Sequence, residues 1–345
     1  MMSKRIYGID LGTSKLKMYK KDEGIILDEK NVIAIANKKS LFAVGNEAYE
    51  MCEKAPINIT VSYPVKFGVI AEIAHMQMMI NHFFENLIGK KTTFGTAVDF
   101  LIAVPTDVTE VEKKSFHDLI RNSIVKTKTI GVVEKPLATA LGMNLDIYNA
   151  HGVMTVDIGA ETTEISILSL GGIVLSKLIP IGGKRIDESI KLLVKKRYNL
   201  VIGDRTAEYI KKNLVSAFPN EKESVFVCGR NVVTGLPCEM EIFSDDINEV
   251  VKEHLITIIE SSRTILEKTP PEISADIYRS GVYITGGTSQ LRDFDKLFNH
   301  ETALKVNLSD DPENTVVNGL GVLIESLDTN KLSKNIIQVV NGRKN

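Results

Sequence analysis

The sequence has few cysteines, no long apolar run and almost no net charge, and each absence excludes a class of protein. Only three of its 345 residues are cysteine, and the spacing of Cys228 and Cys238 matches no zinc or redox motif. Such a count indicates free thiols in a reducing compartment. No apolar run approaches the roughly 18 residues of a membrane-spanning helix, and the opening MMSKR leads directly into an apolar strand. We therefore expect neither a signal peptide nor a transmembrane segment.

The charge balance argues against a nucleic-acid partner. Lysine and arginine number 42 against 44 acidic residues, a net charge of −2, so nothing in the composition favours binding to a phosphate backbone. With 43% hydrophobic and 25% charged residues the composition is that of a soluble globular protein, and we expect a cytoplasmic one. A chain of 345 residues exceeds one average domain and suits two lobes with separate cores.

One motif occurs twice. An apolar run ends in DLGT (residues 10–13), followed by an alternating stretch and a strand that opens at Gly24. A second apolar run ends in DIG (157–159), followed by TTEISILSL and a strand that opens at Gly172. Each copy predicts a meander of three strands with a tight Asp-x-Gly turn between the first two. The duplication predicts two related lobes, each carrying one such turn.

Such turns are suited to a nucleotide. Glycine permits the backbone angles that aim N–H groups at a phosphate, and Thr13 and Thr162 add hydroxyl groups. Asp10 and Asp157 can each hold the water shell of Mg²⁺, which prefers carboxylate and water oxygens. Two turns facing across a cleft would clamp a polyphosphate; the alternative is that each is merely a hairpin turn.

A duplicated Asp-x-Gly turn is also typical of acid proteases, in which two Asp-Thr-Gly turns form a carboxylate dyad. Here Leu11 and Ile158 stand in the middle of the motifs, and the second copy continues with Ala160-Glu161. Those enzymes are nearly all β, whereas this chain has many helical segments. The protease hypothesis is therefore disfavoured.

The remaining pattern predicts an α/β protein. A capping box formed by Thr109 and Glu112 opens one helix, and Pro136 fits the first turn of the next. The apolar stripe of EIAHMQMMINHFFENLI predicts a core-facing helix. Further helices are predicted over 204–218 and 289–298, the latter following a third site of close backbone approach, Gly286-Gly287.

Nine segments, from about residue 6 to about residue 325, resemble the MreB family of bacterial actins in the same order. They are GIDLGT, AVGNEAYEM, GVIAEI, TEVEKK, TVDIGAETTEISILSLGGIV, YNLVIGDRTAEYIK, TGLP, LEKTPPEISADI and VYITGGTSQL. The resemblance implies an α/β, actin/Hsp70-like duplicated fold with four subdomains around a cleft for ATP and Mg²⁺. Lobe I would comprise 1–147 plus 318–345, with residues 31–66 as its small subdomain. Lobe II would comprise 148–317, with residues 181–246 as its small subdomain.

The resemblance also assigns site residues, with Asp10 and Asp157 as the metal-binding pair acting through water. The nucleotide-binding positions it implies are Gly12, Thr13, Ser14, Lys15, Asp157, Gly159, Ala160, Glu161, Thr162, Glu208, Lys211, Lys212, Gly286, Gly287, Thr288 and Ser289. For Glu208 and Lys211 the alternative is an ordinary solvated helix face, on which i, i+3 pairs are common.

The sequence departs from the family where the family reads Glu-Glu-Pro. Here the string is Glu134-Lys135-Pro136, and the residue before that proline is the one expected to orient the attacking water, with Thr162 nearby. A protonated lysine has no lone pair for this task, and a one-residue shift points Glu134 elsewhere. Glu161 also replaces a loop glycine and adds negative charge. Lys135 would either offset this charge or pair with the γ-phosphate. We therefore expect slow or absent ATP hydrolysis; the alternative is that another carboxylate has taken over.

The resemblance further implies head-to-tail polymerisation into antiparallel protofilament pairs at the cytoplasmic face of the membrane. Phe94, beside Lys90 and Lys91, is the predicted peripheral membrane contact. The tail KLSKNIIQVVNGRKN is a second candidate, for which disorder or packing on the first lobe is the alternative.

The altered catalytic positions resemble those of divergent Spiroplasma copies, and the cell role would be shape or motility. The competing functions are a small-molecule kinase of the same superfamily, for which the sequence shows no second catalytic base, and a non-polymerising nucleotide switch.

Overall fold

The computed structural model describes residues 5–89, 97–218, 222–327 and 337–339. The chain divides into two compact units. Unit 1 comprises Met1–His151, Leu168–Leu178 and Glu313–Asn345, and unit 2 comprises Gly152–Ile167 and Ile179–Pro312. In the described part of the chain, no helix has the length and apolarity needed to cross a membrane.

Unit 1 is built on a six-stranded sheet with the order β19-β10-β9-β1-β2-β3. Its strands are β1 (Ile6–Leu11), β2 (Lys15–Lys20), β3 (Gly24–Lys30), β9 (Val98–Val104), β10 (Thr127–Glu134) and β19 (Gln338–Val339). The first three pair antiparallel, so the predicted meander is confirmed. Strands β1, β9 and β10 are parallel, which brings their carboxyl ends to one edge of the sheet.

Smaller elements complete unit 1. Strands β4 (Ile33–Ala36), β5 (Ser40–Val44) and β6 (Ile59–Ser62) form a three-stranded sheet, and β7 (Val65–Lys66) pairs with β8 (Val69–Ile70). Its helices are α1 (Gly45–Glu50), α2 (Ile73–Leu87), α3 (Glu110–Arg121), α4 (Lys135–Gly142) and α10 (Thr315–Ser326).

Three local predictions hold in these helices. Met76, Met79 and Phe84 of α2 are fully buried in the core. The side chain of Thr109 accepts from the Glu112 backbone while the Glu112 side chain accepts from the Thr109 backbone, which is the predicted capping box of α3. Pro136 lies in the first turn of α4, where its missing N–H has no cost.

Helices α4 and α10 approach each other closely because two glycines lie between them. A Cβ on Gly142 would come within 1.9 Å of the Thr315 carbonyl oxygen, and one on Gly319 within 1.8 Å of the Ala138 oxygen. Neither position admits a side chain while the helices keep this spacing. The contact therefore fixes the position of α4, whose first residue is Lys135.

The tail segment that the structure describes packs on unit 1. Strand β19 pairs antiparallel with β10, and Ile337 packs against the apolar cluster that contains Leu101 and Leu137. The tail was expected to bind lipid, to be disordered or to pack on the first lobe; residues 337–339 pack on unit 1. Ile336, Val340 and the predicted membrane loop around Phe94 lie outside the described residues.

The second meander strands β11 (Val153–Ile158), β12 (Thr163–Ser169) and β13 (Gly172–Ile179) are neighbours in a sheet of order β13-β12-β11-β17-β18. Strand β17 (Val282–Thr285) is parallel to both β11 and β18 (Val306–Leu308). A small sheet is formed by β14 (Leu200–Val201), β15 (Ser224–Asn231) and β16 (Pro237–Phe243). The helices of unit 2 are α5 (Gly183–Tyr198), α6 (Asp204–Leu214), α7 (Ser244–Leu266), α8 (Pro271–Ser280) and α9 (Phe294–Thr302).

Two predicted helices of unit 2 have wrong bounds, and the two errors share a cause. Helix α6 ends at Leu214 rather than at 218, and the predicted helix 289–298 is instead a 3₁₀ turn (Gly287–Gln290) followed by α9. Ser216 forms a β-bridge with Arg292, and the Ser216 hydroxyl donates to Asp293, whose φ is +59°. The β-bridge requires extended backbone at Ser216 and Arg292, and so overrides local helical periodicity at these two positions.

Candidate functional site

The first Asp-x-Gly turn lies in unit 1 between β1 and β2. A Cβ on Gly12 would come within 2.8 Å of the Lys15 carbonyl oxygen, so the turn is too tight for a side chain there. The turn is held by Asn31, whose Nδ2 donates to the Gly12 oxygen (2.7 Å) and whose backbone N–H donates to the Ser14 oxygen (2.9 Å). Thr13 is buried beside them. Asn31 was not predicted as a site residue, because no motif around it distinguishes it from a loop asparagine.

The sheet of unit 1 brings Asp10 and Lys135 together. Asp10 pairs with Ala103 of β9, and Ala103 pairs with Val133 of β10. Lys135 follows Val133 by two residues and begins α4, so it lies at the same edge of the sheet. The Nζ atom of Lys135 lies 3.0 Å from Oδ1 of Asp10. The side chains are only 14% and 12% exposed. The contact is ionic, since among the described residues Oδ1 accepts no well-aligned hydrogen bond.

Glu134 points in a different direction from Lys135. Its Oε1 atom lies 3.6 Å from Nζ of Lys113 on α3, although it is adjacent to Lys135 in the chain. Glu134 is the last residue of β10, where successive side chains alternate between faces. The two residues therefore serve different ion pairs.

Two lysines of β2 are held by acidic and carbonyl oxygens of unit 1. Lys15 Nζ lies 2.8 Å from Glu313 and 3.1 Å from Asp28. Burial lowers the pKa of Lys15, but the hydrogen bonds to Glu313 and Asp28 outweigh it, so the pKa lies above its usual value. Lys17 is buried and donates to the Glu313 carbonyl and the Asn314 side chain, and burial lowers its pKa. The ammonium of Lys15 is therefore already neutralised within the unit.

The second Asp-x-Gly turn lies in unit 2 and is held from outside by two elements. The Gly159 N–H donates to the Thr162 oxygen (2.9 Å), which closes the turn. The Gly159 oxygen accepts from the Gly183 N–H (3.1 Å) and from Oγ1 of Thr288 (2.8 Å). The Lys184 N–H donates to the Ala160 oxygen (2.7 Å). The N-terminus of α5 and the turn after β17 thus fix this loop.

Three glycines permit that packing. A Cβ on Gly182 would come within 2.7 Å of the Gly159 oxygen, and one on Gly183 within 2.7 Å of Thr288 Oγ1. Gly286 has φ +89°, and a Cβ there would come within 2.4 Å of Oδ1 of Asp157. Gly182 and Gly183 were not predicted as site residues; the signal available was the glycine pair at the start of α5.

Lys211 lies in this cluster and not on a solvated helix face. It is 9% exposed, its Nζ lies 2.8 Å from Oδ2 of Asp187, and it donates to the Gly183 oxygen (3.1 Å). Burial raises the pKa of Asp187, and the Lys211 ammonium opposes that rise. Glu208 instead pairs with Lys212 (2.7 Å), whose side chain is 66% exposed. The solvated-face alternative is therefore wrong for Lys211, whereas Glu208 pairs with an exposed lysine, as on a solvated helix face.

The remaining predicted residues of unit 2 lie around the same turn. Glu161 pairs with Lys184 (2.9 Å), so its negative charge has a counter-charge on α5. Ser289 is buried and donates to the Gly286 oxygen (2.8 Å). The backbone of 159–162, the start of α5 and the turn at 286–289 lie around one another, with the Lys211 ammonium beside them. Together they present carbonyl, hydroxyl and ammonium groups. We call this set of residues the unit 2 cradle.

Comparison with known proteins gives one consistent result. Residues 4–332 match the MreB/Mbl protein family. The cell shape-determining protein Mbl of Bacillus cereus is 38% identical over 329 residues, covering 95% of this chain and 98% of the relative. The crystal structure of MreB5 of Spiroplasma citri bound to AMPPNP is 30% identical with a TM-score of 0.89, covering 97% and 99% of the two chains. A structure of the MamK double helical filament has a TM-score of 0.76 at 22% identity, covering 94% and 99%, and shows a likeness of fold alone.

Proposed function

Because the chain belongs to the MreB/Mbl protein family, we propose that it is a cytoskeletal protein that binds an adenine nucleotide and assembles with its own copies into filaments. The actin-like fold predicted from the sequence is confirmed by the likeness to MreB5 and MamK. The proposal places these filaments in the cytoplasm, at the inner face of the membrane, where they control cell shape or motility. The loop around Phe94 is the proposed membrane contact.

The observation that carries nucleotide binding is the unit 2 cradle. Its loop is held by hydrogen bonds to Gly159 and Ala160, and its glycines leave no room for side chains. Tight glycine turns beside a helix start are typical of phosphate sites, in which backbone N–H groups face the anion. The related MreB5 protein was crystallised with AMPPNP and with ADP, which supports an adenine nucleotide as the ligand.

We further propose that hydrolysis of this nucleotide is weak. The position expected to orient the attacking water carries Lys135, whose ammonium lies against Asp10. Glu134, the nearest carboxylate in the chain, is paired with Lys113. Neither side chain offers the free carboxylate that positions a water for attack on a phosphoryl group.

Magnesium is the part of the predicted cofactor that the residues fit poorly. Mg²⁺ binds carboxylates directly or through its water shell, and Asp10 was predicted to supply one of the two carboxylates. The Lys135 ammonium occupies the space next to that carboxylate, so the proposed function does not depend on a metal at Asp10.

Electron microscopy of the purified full-length protein with ATP tests the proposed function. Filaments that form with ATP, together with saturable binding of a fluorescent ADP, are the expected result. A protein that binds the nucleotide but stays monomeric at all concentrations would favour a kinase or a nucleotide switch. A protein that binds no nucleotide would contradict the proposal altogether.

A further inference from the structure

We infer that Lys135 takes the place of a divalent cation at Asp10, so that this chain binds its nucleotide with little dependence on Mg²⁺. The inference rests on the proposed function, since it concerns the metal ion expected to accompany the bound nucleotide. It is carried by the contact between the Lys135 ammonium and the Asp10 carboxylate, 3.0 Å apart in unit 1.

The ammonium lies at nearly the distance from Asp10 that a metal-bound water would take. A carboxylate that holds Mg²⁺ through water accepts a hydrogen bond from that water at roughly 2.7–2.8 Å. Nζ of Lys135 is already within 3.0 Å of Oδ1 of Asp10. A hydrated cation held through this oxygen would therefore have to share it with the ammonium.

Charge acts in the same direction as space. Both side chains are nearly nine-tenths buried, so solvent screens their fields weakly. A divalent cation brought to Asp10 would meet the positive charge of Lys135 at short range, while the pair by itself is already neutral. The lysine thus supplies a positive charge that is part of the chain, whereas a metal ion would have to bind from solution.

The pair is also held on rigid elements. Asp10 is on the buried strand β1. Lys135 opens α4, which is fixed by Pro136 and by the close approach of Gly142 to Thr315. Moving the ammonium aside would leave the Asp10 carboxylate buried and unpaired, which is strongly unfavourable. The contact is therefore a built feature of unit 1 and not a chance approach of two surface side chains.

The test compares the affinity of the full-length protein for a fluorescent ADP in saturating magnesium and in excess EDTA. The wild type is expected to show dissociation constants within about threefold of each other, and a loss of more than about tenfold in EDTA would overturn the inference. Lys135→Glu restores a second carboxylate beside Asp10 and should make binding strongly dependent on magnesium. A variant as indifferent to magnesium as the wild type would show that Lys135 is not the cause, and would also overturn it.

Two further measurements keep the test decisive. Lys135→Gln removes the positive charge without adding a carboxylate, so it can replace Lys135→Glu in the test if that variant does not fold. The amount of bound Mn²⁺, measured by electron paramagnetic resonance, should be higher in Lys135→Gln than in the wild type. Lys128→Gln and Lys128→Glu are matched controls on the exposed part of β10 and should leave the wild-type behaviour unchanged. No ADP binding by the wild type under either condition would remove the proposed function and this inference with it. Binding that requires magnesium removes the inference alone.

Discussion

The two copies of the Asp-x-Gly turn share a backbone design but differ in what surrounds them. In each copy the glycine packs against the carbonyl three residues later, Gly12 against Lys15 and Gly159 against Thr162. In each copy the glycine oxygen also accepts a hydrogen bond from a residue outside the turn, from Asn31 in unit 1 and from Thr288 in unit 2. The turn geometry is therefore common to both units.

The charges beside the two turns are arranged differently. Asp10 in unit 1 is neutralised by an ammonium at 3.0 Å. Asp157 in unit 2 lies against the backbone of Gly286, where even a methyl group would collide with it. The comparison indicates that two copies of one turn can share a backbone scaffold while the charges around them differ. It also predicts that the densely packed unit 2 turn is the more sensitive to substitution.

The largest effect is expected for Lys211→Met, which leaves Asp187 buried without its partner. We expect a loss of about 3 kcal/mol of unfolding free energy at pH 7, measured by urea denaturation. Lys212→Met is the control, because its exposed pair with Glu208 contributes less than about 0.5 kcal/mol. Adding Asp187→Asn to Lys211→Met should recover much of the loss; an unchanged double variant would contradict the pairing.

This effect should depend on pH in a defined direction. Burial raises the pKa of Asp187 above its ordinary value of 3.8, so the folded state holds the proton more tightly than the unfolded chain. The resulting stabilisation is present below pH 3.8 and is lost as the pH rises through the raised pKa. Without Lys211 that pKa rises further, so the variant should be less destabilised at about pH 4.5 than at about pH 7.

A slightly smaller effect is expected for Gly286→Ala. Its φ of +89° and the 2.4 Å approach to Asp157 make a side chain both strained and overpacked, and we expect destabilisation by about 2–3 kcal/mol with loss of ADP binding. Gly235→Ala is a matched control, because Gly235 has φ +73° and no atom within 4 Å of the added Cβ. Its cost should be confined to backbone strain of about 1 kcal/mol. Equal losses in the two variants would show that the contact with Asp157 contributes nothing.

The smallest effect is expected in unit 1, for Asn31→Ala. The substitution removes the donor to the Gly12 oxygen and should cost about 1–2 kcal/mol in thermal or urea unfolding. Asn213→Ala provides a comparison, since its side chain makes an exposed bond to the Tyr209 oxygen (2.7 Å) whose loss solvent compensates. If Asn31→Ala proves more damaging than Gly286→Ala, the proposed difference between the two turns is wrong.

Much of the fold could be predicted from the sequence, because local chemistry decided it. The two meanders follow from alternating apolar residues and Asp-x-Gly turns, and the start of α4 from Pro136. The end of α6 at Leu214 and the start of α9 at Phe294 could not be predicted in this way. They depend on a bridge between Ser216 and Arg292, which are far apart in the sequence.

The candidate site was only partly predictable for the same reason. Its glycines and threonines lie in recognisable turns, but Asn31 acts through a contact with a turn 19 residues earlier in the chain. The burial of Lys211 depends on Asp187 of another helix, so an i, i+3 pattern within α6 gave no information about it. The replacement at Lys135 was visible in the sequence, whereas its pairing with Asp10 required the strand register.

The central claim is that this chain keeps a nucleotide site whose catalytic position has been altered. The most direct test is phosphate release from ATP under conditions in which filaments form, for the wild type and for Lys135→Glu. We predict release close to background for the wild type and a rise of at least about tenfold for the variant, since an oriented carboxylate typically contributes more than that. The account would be contradicted if the wild type released phosphate clearly above background and the Lys135→Glu variant released it at the same rate.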